Sequence, residues 1–142
     1  MCFVAYIGTN KQLELGTFVP EQTDIYFDKL SDEEEKSIRP KFTKANIYHV
    51  GSDTSCSCGL AFDSEDFDEP YQQGKKKSPA RFIEFLKEMT LTEDIEYYCC
   101  WIDEWDLPTE TIQEIDIRKI SLEKNYFSLT EKEFIRFTLQ AP

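Results

Sequence analysis

The hydrophobic and polar positions along the chain alternate between two periods. Residues 2–8 (Cys2-Phe3-Val4-Ala5-Tyr6-Ile7-Gly8) form an apolar, aromatic run ending at glycine, which predicts a first strand. Residues 10–23 are mostly polar and carry Gly16 and Pro20, so they read as a loop. Ile25-Tyr26-Phe27 is a short strand candidate, and Ser31-Asp32-Glu33-Glu34-Glu35 opens a short helix of about 32–38. There Ser31 is the cap, Glu34 occupies the capping-box position, and the acidic first turn complements the helix dipole until Pro40 stops it. Asn46 to Val50 reads as a strand broken by Gly51, and Cys56 to Phe62 as a returning strand. Residues 63–77 are an irregular surface stretch.

The clearest helix spans about 78–90. Ser78 can cap it, Pro79 suits a first turn, and Phe82, Phe85, Leu86 and Met89 recur on one face. Residues 94–103 form the strongest strand. Ile95, Tyr97, Cys99 and Trp101 point one way, and beyond Glu96 the other face is apolar too, which demands a central position covered on both sides. Trp105 to Thr111 reads as a loop, residues 115–120 as a strand, and Tyr126-Phe127 as a further short one. Thr130 to Glu133 has a capping-box pattern, but residues 134–139 alternate and are β-rich, so a last strand is the reading there. The sum is one α+β domain over 1–142, a largely antiparallel sheet with one main amphipathic helix and a short second one.

Composition changes this picture in two ways. The chain has 142 residues, of which 11 are Phe and 7 Tyr, enough for a core without staples. Its 28 acids outnumber 16 bases, giving a net charge of −12. Such a field repels phosphate backbones and anionic bilayers, so nucleic acid and membrane partners are not expected. It suits a basic protein partner, which it would attract quickly and in a salt-sensitive way. Five cysteines are an odd set for a secreted disulfide framework, no apolar run approaches a membrane span, and no signal segment is visible, so a reducing cytoplasm is the expected location.

Candidate chemistry centres on Cys56-Ser57-Cys58-Gly59, with His49 upstream and Cys2 on the first strand. Thiolate and imidazole are the ligands zinc prefers. In an extended strand, residues two apart lie ~6.6 Å from one another, whereas two sulfurs on one zinc approach to ~3.8 Å. Joint ligation therefore requires a turn at Ser57. The same turn allows a strained, easily reduced Cys56–Cys58 disulfide, or simply packs two small residues. Cys99 and Cys100 face opposite sides of their strand and behave as core residues.

Other motifs fall short. The start Met1-Cys2 on a strand resembles, in that feature, the N-terminal-nucleophile amidohydrolases, which implies Cys2 as nucleophile after loss of Met1. No matching oxyanion-hole or substrate motif accompanies it. His49, the only histidine, has no sequence partner for a nucleophilic triad. The acids from Asp63 to Glu69 miss the calcium-loop pattern, because Asp68 and Gly74 fall where Gly and Glu are needed. Gly74-Lys75-Lys76-Lys77-Ser78 fails the phosphate-loop spacing. With no complete catalytic signature, the sequence favours a non-enzymatic binding protein docking a basic partner. The alternative is a thiol or zinc site built on Cys56 and Cys58 with His49 and Cys2.

Overall fold

The computed structural model describes residues 2–127 and 129–139. Six strands form one sheet: β1 (Phe3–Thr9), β2 (Ile25–Asp28), β3 (Asn46–Ser52), β4 (Ile95–Trp101), β5 (Thr111–Asp116) and β6 (Glu133–Thr138). Their spatial order is β2-β3-β1-β4-β6-β5. Every neighbouring pair is antiparallel except β5 with β6. Two helices, α1 (Asp32–Ile38) and α2 (Lys77–Met89), cover opposite faces, so the α+β arrangement expected from the sequence is the arrangement found. Among the described residues, no helix is long and apolar enough to cross a membrane.

β4 occupies the centre, as its two apolar faces require. Ile95, Tyr97 and Cys99 enter the larger core beneath α2, while Tyr98 and Cys100 enter the smaller core beneath α1. The adjacent cysteines thus face opposite layers. Glu96, fully buried on β4, is accepted because its carboxylate takes hydrogen bonds from the Thr43 and Lys44 backbone N–H groups (2.8 and 2.9 Å) and the Thr43 hydroxyl (2.7 Å). α2 buries Phe82, Ile83, Phe85, Leu86 and Met89. At roughly 1.5–3 kcal/mol per side chain, this face is a large apolar contribution to the core. α1 begins with the capping box read from the sequence: Glu34 N–H donates to the Ser31 hydroxyl, and Ser31 N–H to the Glu34 carboxylate.

Several local expectations are corrected. β3 runs through Gly51, where Tyr26 of β2 lies over the strand so closely that a Cβ would collide with its ring. Ser78 does not cap α2, because a 3-10 turn at Pro70–Lys75 runs into the helix through Lys76, itself in helical conformation. Its hydroxyl instead donates to Asp24 C=O (2.7 Å) and accepts from Asp53 N–H (3.0 Å), tying the start of β2 to the loop after β3. β5 begins at Thr111 and ends at Asp116, earlier than expected, because the Asp116 carboxylate accepts from Arg118 N–H and turns residues 117–119 into a 3-10 helix. Tyr126 and Phe127 are buried but not in a strand; the Tyr126 hydroxyl donates to Leu60 C=O at 2.6 Å. β6 is the strand expected near the C-terminal end.

Candidate metal centre

The segment expected to return as a strand after Cys56 instead folds into a 3-10 turn at Ser57–Leu60. The residues upstream dictate this. Ser52 N–H donates to Cys56 C=O at 3.0 Å and Ser55 N–H to Ser52 C=O at 3.1 Å, closing a tight loop in which Ser55 takes a left-handed φ of 65°. Ser57 then inserts its hydroxyl where β1 and β3 part. It accepts from Ala5 N–H at 2.9 Å and donates to Val50 C=O at 2.5 Å, and the residue is fully buried. Gly59 packs flat on Ser52, where a Cβ would collide with the Ser52 hydroxyl.

This geometry turns Cys56 and Cys58 toward the start of β1. Cys2 is held there by its carbonyl, which accepts from Ile102 N–H at 2.9 Å, and by the next residue, Phe3, whose ring stacks on Trp101 at 3.9 Å. The sulfurs of Cys2, Cys56 and Cys58 all lie within 4.8 Å of one another. Tetrahedral zinc needs ~3.8 Å between thiolates, a difference that small side-chain rotations close. Cys2 is exposed, Cys56 and Cys58 are half-buried, and all three are free thiols.

The three thiols are not equivalent. Burial pushes the Cys56 thiol up, but hydrogen bonds from the Thr54 hydroxyl, the Cys58 backbone N–H and the Cys58 and Cys2 thiols outweigh it and hold Cys56 below the usual thiol range. The Thr54 hydroxyl lies 3.5 Å from its sulfur. Burial, with the Cys56 thiolate adding to it, pushes Cys58 up to about 11. Among the described residues the cluster is made of thiols alone, with no carboxylate or imidazole in it. A cavity of about 280 Å³ adjoins it, lined in part by Asp53, Thr54, Cys58 and Lys75.

His49 does not join the sulfurs. It stands on the α1 face of the sheet, its ring edge-on to Tyr6 at 5.7 Å. Burial lowers its pKa, partly offset by Glu34 and Asp28. The sequence names the three cysteines, but β3 alternation alone sends His49 to the opposite face from the larger core, a signal legible once the strand's register is known. The residue that sequence reasoning missed is Ser57, since a serine between two cysteines gives no hint of bridging two strands. The Met1 expectation, with any release of Cys2 as an N-terminal nucleophile, lies outside the described residues.

No family model matches the chain, and comparison with curated proteins and with solved structures gives no match.

Proposed function

We propose that this protein is a metal-binding domain in which the thiolates of Cys2, Cys56 and Cys58 hold a zinc ion. The observation that carries the reading is the convergence of three sulfurs from two distant chain segments, with the intervening loop fixed by Ser52, Ser57 and Gly59. Soft thiolates select zinc and copper(I) over hard cations. Three protein ligands leave a fourth position for water or for a donor from a partner, the open arrangement that distinguishes exchangeable zinc from closed structural sites. A basic protein partner, attracted by the net charge of −12, is compatible with this reading because a docked partner can supply that donor. At low salt, basic proteins should be retained on the immobilised chain and released as salt rises; a low-salt pull-down that enriches none would count against this partner.

Elemental analysis of protein prepared without chelator should find zinc near one equivalent. Cys56→Ser and Cys58→Ser should each weaken zinc binding by at least about 100-fold, the upper range for losing even an outer-sphere partner. His49→Gln should leave it unchanged. Cobalt(II) titration should give thiolate charge-transfer bands, lost in Cys2→Ser. Sub-stoichiometric zinc that is indifferent to Cys56→Ser would remove the reading. Metal binding releases the thiol protons, and the high Cys58 value means that affinity should rise as pH rises through the neutral range.

A further inference from the structure

A second cavity, of about 500 Å³, opens on the α2 side of the sheet beyond the helix itself. Its lining comes from β5, the turn after it, the segment around Phe127 and the start of β6. Ile115, Ile120 and Phe127 give it apolar walls. Glu133, the first residue of β6, lines the cavity with only 5% of its surface exposed. A cavity of this size, with apolar walls beside several polar groups, is suited to a small molecule that has both an apolar body and a polar head.

Glu133 is the group without an internal explanation. The other buried carboxylates are used: Glu96 is saturated by Thr43 and Lys44, and Asp116 is forked by Arg118 at 2.8–3.2 Å. Glu133 has one partner among the described residues, the Gln113 side-chain amide, which donates to one oxygen at 2.7 Å. No lysine or arginine among the described residues forms an ion pair with it. Exposed Lys119 and Glu114, of opposite charge, also line the cavity. An ionised buried carboxyl that lacks a cation is costly, so it either takes up a proton or gains a cationic ligand.

We propose that this cavity binds a small organic amine, its ammonium hydrogen-bonded to Glu133 and its apolar body against Ile115, Ile120 and Phe127. The ammonium completes the missing partner of Glu133, and the aromatic ring of Phe127 adds a favourable surface for a cation-bearing body. The net charge of −12 raises the local concentration of cations around the whole molecule. Burial, only partly offset by Gln113, raises the Glu133 pKa, consistent with a carboxylate short of positive charge. This site shares no residue with the cysteine cluster and stands independently of it.

The test is a titration of the uniformly 15N-labelled full chain with phenethylamine, against the neutral 2-phenylethanol, at neutral pH. The amine should shift the amides of Gln113, Ile115, Phe127 and Glu133 at concentrations on the order of millimolar, and the alcohol should bind at least about tenfold more weakly. Glu133→Gln should remove that preference while leaving alcohol binding unchanged. Should Glu133→Gln fail to fold, Thr130→Trp, placed at the exposed rim, should block the amine shifts in a folded chain. Equal binding of amine and alcohol, no shift at these amides, or undiminished amine binding in the folded variant would each overturn the assignment.

Discussion

Two buried carboxylates show how differently one residue type can be accommodated. Glu96 takes three close hydrogen bonds from Thr43 and Lys44, with Arg136 at 3.4 Å. Glu96→Gln puts an amide where donors already converge and should cost about 1.5–3 kcal/mol in chemical denaturation, the range for bonds to a charged group. Glu133 behaves in the opposite sense. Its raised pKa favours the neutral form, so the stability it contributes is complete below the ordinary carboxylate range and is lost as pH rises through its folded value. Glu133→Gln should therefore raise the melting temperature at neutral pH, and the gap should close below about pH 4. A gap that widens on acidification would contradict this account. Gly59→Ala should act through the loop, forcing Ser52 away and weakening zinc affinity by at least about tenfold, the lower range for disturbing a supporting contact.

At the scale of elements, what the sequence discloses depends on how local the cause is. The Ser31 capping box, the amphipathic face of α2 and the doubly apolar β4 are all written within a few residues, and all are found. The start of α2 is different, because Ser78 looks like a cap but its hydroxyl is spent on Asp24 and Asp53, more than twenty residues away. Ser78→Ala should cost about 1–3 kcal/mol by stranding those two backbone groups. Ser78→Asn, a better cap by type, should not recover the loss. The 3-10 turn after Cys56 is hidden for the same reason: Gly59 and Ser57 make sense only beside Ser52, Ala5 and Val50. The boundary of β5 is a nearer miss, since Asp116 turning onto Arg118 is a local signal that alternation over 115–120 outweighs. The cysteines were legible as candidate ligands from residue type alone; that they converge, and that His49 does not, depends on the three-dimensional path.

For the whole molecule, the sheet is a partition. Its α2 side holds the larger core, and residues of that core flank the cavity beside β5; its α1 side holds His49, Tyr6 and the buried thiol of Cys100, which burial pushes up to about 12. Self-repulsion at a net charge of −12 opposes compactness, so added sodium chloride should raise the melting temperature of the metal-free chain before any specific ion effect enters. Zinc would act on top of this, clamping the residue before β1 to a loop more than fifty positions later and stabilising the native state in proportion to its free concentration. The Ser57 hydroxyl converts that clamp into something observable. The backbone N–H of Ala5 is bonded to the hydroxyl of Ser57, the residue between Cys56 and Cys58, which in turn donates to Val50 of β3. Its exchange with deuterated solvent is thus governed by the opening of the cysteine loop. Saturation with zinc should slow that single amide more than its neighbours on β1, giving a residue-sized gauge of how firmly the clasp is shut.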